Sequence, residues 1–270
     1  MSFFTWLFKR KPKKIKIGLA LGSGGAKGFA EIGALKAFEE NGIEFDVIAG
    51  TSIGSIIGAF YADGYSSTDI NELIKNVDLS DVTNLFMIKM DTLGMFNVID
   101  RTIGSKNIEE LKKPFMAVAT EVESGDEYVF KSGSVATALC ASSSYPPFFK
   151  PVVIDNVRYI DGAFTNSVPA DLVRNMGADY VVAIDLSTHE KKQGGFLSRI
   201  IPTYKGKVEN PWQKGYDYSD IVLKPDLSAY KPVSIGAQSV MYEIGYECAI
   251  KNIPQIKKDL ELIQKNKYKK

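Results

Sequence analysis

A chain of 270 residues with 45% apolar and 24% charged residues has the make-up of an ordinary globular protein, long enough for one large α/β domain. Its net charge of +1 excludes a chain-wide attraction to nucleic acid. The two cysteines, Cys140 and Cys248, have no His or Cys at ligand spacing, which excludes a structural zinc site and predicts buried free thiols in a reducing, cytoplasmic compartment.

The positive charge sits at the two ends. Residues 1–16 carry +6 with no acid and residues 257–270 carry +4, which leaves −9 for the body between them. In "MSFFTWLFKRKPKK" the apolar residues precede the basic ones, the reverse of a secretory signal. No apolar run reaches the ~18 residues of a spanning helix. Residues 1–14 therefore read as a tail, with two uses open. Phe3, Phe4, Trp6 and Phe8 beside a basic cluster suit insertion at an anionic membrane surface, and the same stretch suits a frayed terminus.

From residue 15 the elements alternate. "IKIGLAL" reads as a buried strand, followed by the turn "GSGGAKG" and a helix through Phe29, Ile32, Ala37 and Phe38 that stops at Asn41-Gly42. "FDVIAG" is a second strand and residues 55–62 a second helix, which predicts parallel strands with right-handed crossovers. Ser66-x-x-Asp69 is a capping-box pattern opening a helix over 66–76. The Met-, Leu- and Phe-rich stretch 85–99 fits an acyl-chain groove, a lid, or ordinary core. "PFMAVATEV" and "EYVF" around Ser124-Gly125-Asp126 predict a hairpin. Helices are expected over 134–143, 169–176 and 236–252, the last with Ala237, Val240, Met241 and Ile244 inward; strands are expected at "VRYIDG", "DYVVAIDL" and "DIVLKP". One catalytic domain over 15–256 and a basic tail over 257–270 complete the reading.

Gly50-Thr51-Ser52-Ile53-Gly54 stands where a strand becomes a helix. That is the nucleophile-elbow pattern: Gly50 and Gly54 leave room for a tight turn that holds the Ser52 hydroxyl at the positive end of a helix. A serine nucleophile needs a base, and two are available. His189, the single histidine, would complete a triad in the chain order Ser52, Asp161, His189. Asp161, before Gly162 at a strand end, would act alone if it projects at the carboxyl edge of the sheet. The turn from Gly22 to Gly28 offers backbone N–H groups at a helix N-terminus, which suits a nucleotide phosphate or the oxyanion of an ester's tetrahedral intermediate. It matches neither a Walker A loop nor a dinucleotide fingerprint.

Taken together, "GSGGAKG", "GTSIGS", "ASSSYPPFFKPV", "YIDGA" and "GADYVVAIDL" resemble the bacterial patatin-like phospholipases over residues 15–252. The resemblance implies an α/β fold of three layers, α/β/α, around a mainly parallel sheet. It implies a lipid acyl hydrolase acting on lipid esters through a Ser-Asp dyad without histidine: Ser52 as nucleophile, Asp161 as base, and Gly24, Gly25 and Lys27 at the oxyanion hole. Metal and cofactor are not expected. Two positions depart from the family's pattern, Ser23 for glycine and Lys27 for arginine; lysine keeps the charge without the planar guanidinium fork. A nucleotide-binding module and a catalytically silent lipid-binding regulator are the competing readings.

Overall fold

The computed structural model describes residues 14–76, 93–187, 201, 204, 206, 208–234 and 236–267. His189, residues 85–92 and all but the last residue of the expected tail 1–14 lie outside the described residues. The strands are β1 (Ile17–Leu21), β2 (Val47–Thr51), β3 (Phe115–Glu121), β4 (Glu127–Phe130), β5 (Val152–Ile154), β6 (Val157–Asp161), β7 (Tyr180–Ile184) and β8 (Ile221–Leu223). They form one sheet in the order β5-β6-β3-β2-β1-β7-β8, with β4 also on β3. The five strands from β3 to β8 along this path are parallel, whereas β4, β5 and β6 are antiparallel to their neighbours.

The helices are α1 (Phe29–Glu40), α2 (Ile53–Ala62), α3 (Ser67–Asn76), α4 (Leu93–Ile103), α5 (Val135–Ser142), α6 (Ala170–Asn175), α7 (Gln213–Asp217) and α8 (Gln238–Lys267). The period-two alternation of each central strand divides the core. Leu19, Leu21, Ile48, Val182 and Ile184 join α1, α2 and α8 in the larger cluster. Ala20, Val47, Ala49, Val181 and Ala183 join Val173 of α6 in a smaller one. Of the described part of the Met-rich stretch, residues 93–99, Ile99 is buried and Met95 and Phe96 pack against the larger cluster, whereas Val98 is 43% exposed. The expected capping box forms, with Ser66 and Asp69 exchanging hydrogen bonds at the start of α3. Cys140 is buried as expected, but Cys248 is only half-buried.

The C-terminal reading needs correction. The helix expected over 236–252 continues to Lys267, so the expected boundary at residue 256 falls inside it and residues 257–267 are not a tail. Met241, Gly245, Ala249, Ile253 and Ile256 form its buried stripe, and the lysine-rich end is tied down by Lys267 to Asp179 at 2.7 Å and Tyr180 to Asp259 at 3.0 Å. Val240, expected inward, is 50% exposed, because the stripe runs through Met241 one residue on.

The register around β3 positions the site. β2 pairs with β3 up to Thr51↔Val118; β6 pairs with it from Asp161↔Ala119 onward. β4 overlaps both stretches, Ala117 to Thr120, so β2 and β6 must share the opposite edge of β3. They meet there head-on, each ending where the other ends. Asp161 is thus brought to the carboxyl ends of the parallel strands, as expected, by a strand that runs against them.

Candidate active site

Ser52 links β2 to α2 with φ 56° and ψ −126°, the left-handed side of the map that a non-glycine residue occupies only when its surroundings hold it there. Its neighbours leave no room for larger residues. A Cβ on Gly50 would stand 2.3 Å from the Gly54 carbonyl oxygen, and one on Gly54 would stand 2.5 Å from that of Leu21. Gly162 is confined in the same way, 2.4 Å from the Val118 oxygen.

The Ser52 Oγ donates to Asp161 Oδ2 at 2.6 Å. The Ala163 N–H donates to the other carboxylate oxygen at 2.8 Å, which fixes the carboxyl plane. Asp161 is fully buried and Ser52 is 8% exposed. Burial pushes the Asp161 carboxyl up to about 7, against the opposing pull of the Ser52 hydroxyl and the Ala163 N–H. A carboxylate poised near neutrality can take a proton from a serine and return it. At 2.6 Å the two oxygens are in direct hydrogen-bond contact, with no side chain between them.

Sequence reasoning missed the segment that holds the pair together. Ser142, the last residue of α5, accepts the Ser52 N–H at its Oγ, 2.9 Å. The Ser144 carbonyl, two residues on, accepts the Asp161 N–H at 3.1 Å. Ser142 and Ser144 of "ASSSYPP" therefore hold nucleophile and base, one through its hydroxyl and the other through its carbonyl; the signal was present, but only as text shared with a family. Thr51 Oγ1 donates to the Asn166 carbonyl at 2.7 Å and Thr120 Oγ1 to the Asp161 carbonyl at 3.0 Å, so the residues flanking the dyad are held as well.

The glycine turn lies after β1 and before α1. Its N–H groups can be followed one by one. That of Gly22 goes to Glu31 Oε1 at 2.7 Å, that of Ser23 to the Ser167 carbonyl at 2.9 Å, that of Ala26 to the Pro232 carbonyl at 2.7 Å, and that of Lys27 to the Gly24 carbonyl at 3.2 Å. Those of Gly24 and Gly25 donate to no described residue. The two residues expected at the oxyanion hole are thus the two with open donors. Gly25 has φ +57°, and a Cβ there would lie 2.6 Å from the Pro232 oxygen, so only glycine fits. Lys27 spends its own N–H within the turn and its side chain is buried, so it can add charge but not a backbone donor. A Cβ on Gly28 would strike Ile53 at 2.3 Å, which shows how closely the turn packs on the residue after the nucleophile. Among the described residues no three His, Cys, Asp or Glu side chains converge as metal ligands, and no helix is long and apolar enough to cross a membrane.

Comparison with known proteins gives the chain's relatives. The chain is 30% identical over 280 residues to patatin-like phospholipase domain-containing protein 6 of human and of mouse, covering 86% of this chain and 20% of theirs. It is 27% identical to the neuropathy target esterase sws of Drosophila melanogaster, covering 85% of this chain and 19% of that one. The chain thus spans about a fifth of the length of these curated relatives. In fold it is similar to VipD from Legionella pneumophila, with a TM-score of 0.56 at 13% identity over 90% of this chain and 67% of that one. The family model described as patatin-like phospholipase matches residues 19–174, more than half of the chain. By that match, the chain belongs to the patatin-like phospholipase family.

Proposed function

We propose that the protein is a serine lipid acyl hydrolase that works through a Ser52–Asp161 dyad. The observation that carries this reading is the 2.6 Å contact between Ser52 Oγ and Asp161 Oδ2, with two open N–H donors in the adjoining glycine turn. Asp161 accepts the Ser52 proton as Oγ attacks the ester carbonyl. The oxyanion is held by the N–H groups of Gly24 and Gly25, joined by that of Ile53 at the start of α2. A single such donor is worth about 3 kcal/mol of transition-state stabilisation. The proton passes to the departing alcohol and an acyl-serine remains. Water deprotonated by Asp161 then releases the fatty acid and restores both residues. No step calls on a metal or cofactor.

The names of the relatives, phospholipase and esterase, point to the same bond. A phosphate cradle is less well served: of the six N–H groups from Gly22 to Lys27, four are held in bonds within the protein and only two adjacent ones are left. The head group is left to experiment; the basic N-terminal residues and aromatic start favour a cytoplasmic protein in peripheral contact with an anionic lipid surface. Membership of the bacterial branch, read from the motifs, is part of the proposal, since the curated relatives named above are animal proteins.

The test is hydrolysis of medium-chain esters and phospholipid vesicles by the purified protein, with fluorophosphonate labelling mapped by peptide analysis. Label on Ser52 and loss of turnover in Ser52→Ala are expected. Full activity in Ser52→Ala would refute the nucleophile, and a folded protein inert toward every ester and unlabelled at Ser52 would favour a silent lipid-binding regulator.

A further inference from the structure

Of the six N–H groups from Gly22 to Lys27, two stay open and four are fastened, and three of the fastenings use main-chain carbonyls: Ser167, Pro232 and Gly24. The fourth uses a side chain. Glu31, in the first turn of α1, is fully buried and accepts the Gly22 N–H at Oε1, 2.7 Å. Its Oε2 is buried without a hydrogen-bond partner. Burying a carboxyl is costly, and an apolar residue would fill the same space without that cost. A Glu at this place is explained by what its oxygen holds.

We propose that Glu31 is a positioning residue for the oxyanion hole, fastening the first amide of the glycine turn so that the Gly24 and Gly25 N–H groups face the acyl carbonyl; this rests on the hydrolase reading above. Burial, reinforced by the nearby Asp185 carboxylate and opposed by the Gly22 N–H, holds the Glu31 carboxyl well above the usual range. What the turn uses is an acceptor oxygen at a set distance, 2.7 Å from the Gly22 nitrogen. Gly22 stands at the hinge of the turn: a Cβ there would meet the Ile184 carbonyl at 2.7 Å, so the amide has little freedom once its acceptor is in place. Without that acceptor, the buried N–H seeks another partner and the peptides that follow rotate with it.

The proposal separates two substitutions of similar size. Glu31→Gln keeps a neutral acceptor oxygen; Glu31→Leu removes it, with Glu31→Met as the unbranched replacement should the leucine variant not accumulate. In the full chain, Glu31→Gln is expected to keep kcat within about threefold of the parent, whereas the apolar variant loses about a hundredfold in kcat with KM little changed, as misplacement of a transition-state donor requires. Amide hydrogen exchange over residues 19–29 provides a readout independent of turnover: it should quicken in the apolar variant and not in Glu31→Gln. Parental kcat and exchange in the apolar variant would overturn the proposal, as would a loss in Glu31→Gln equal to that in the apolar variant. The Ser52→Ala control keeps the two readings apart. If it matches the parent, the hydrolase assignment fails, and hydrogen exchange alone then decides whether Glu31 fastens the turn.

Discussion

Replacing Asp161 by asparagine should disable the enzyme and stabilise the protein at the same time. The carboxyl is raised from 3.8 to about 7 chiefly by burial. A raised acid binds more protons folded than unfolded between those two values, so native stability falls as pH rises through that window and is level above it. About three pH units at about 1.4 kcal/mol each give an upper limit of about 4 kcal/mol for the destabilisation at pH 8. Asparagine has nearly the same shape and removes the ionisation. Its Oδ1 can take the Ala163 N–H now bound to Asp161 at 2.8 Å, and its Nδ2 can donate to Ser52 Oγ. Asp161→Asn should therefore match the parent near pH 4 and exceed it increasingly up to pH 7, with kcat reduced by roughly 10²–10⁴-fold for loss of the base. Denaturant midpoints of both proteins at pH 4.5, 6, 7 and 8, with ester turnover in parallel, provide the assay. A stability difference that does not grow with pH, or an asparagine variant less stable at pH 8, would refute a base raised by burial.

The same carboxyl sets the rate profile: kcat/KM of the parent should rise with pH through about 7 along a limb of unit slope, since the base must be ionised, and a limb near 4 would count against it. Ser142→Ala leaves the Ser52 N–H buried without its acceptor, so a loss of about 1–3 kcal/mol in stability is expected, with a lower kcat that Ser142→Thr partly restores; unaltered kcat and melting temperature in the alanine variant would remove Ser142 from the clamp. Gly25→Ala meets both the left-handed backbone and the Pro232 carbonyl, and its kcat should fall by about 10²–10³-fold, read against fluorophosphonate labelling of Ser52. His189→Ala should retain near-parental turnover, and a collapse of several orders of magnitude would revive the triad.

Much of this fold was legible because its signals are local. The buried run "IGLAL", the stop at Asn41-Gly42 and the Ser66–Asp69 box each specify an element within a few residues. The end of α8 was not legible because Lys257, Lys258, Lys265 and Lys267 obscure its apolar stripe, Ile253, Ile256, Leu260 and Ile263, whose spacing marks one continuous helix. Ser52 and Asp161 were found by motif, and their contact is now explained by geometry. Glu31 was hidden in "FAEIGALKAFEE", since an acid on a helix ordinarily faces water, and its burial follows only from where the preceding turn folds back.

The direct contact between Ser52 and Asp161 follows from a feature that no local pattern carries, the sharing of one edge of β3 by β2 and β6. Thr51 and Asp161 pair with consecutive residues, Val118 and Ala119, and consecutive residues of a strand are about 3.3 Å apart. One step of register therefore brings an oxygen on the residue after Thr51 into direct contact with a carboxylate on β6. An intervening imidazole with a hydrogen bond at each nitrogen would need the oxygens about 7 Å apart, or about two steps, with β6 entering correspondingly later. On the proposed dyad, the spacing of the two oxygens is then a matter of strand length. β3 runs beyond the end of β2 far enough to receive β6, and β6 stops where the Asp161 carboxyl faces the elbow. Lengthening or shortening β6 by one residue would turn that carboxyl to the other face of the sheet, which makes the register, more than any single side chain, the feature on which the site depends.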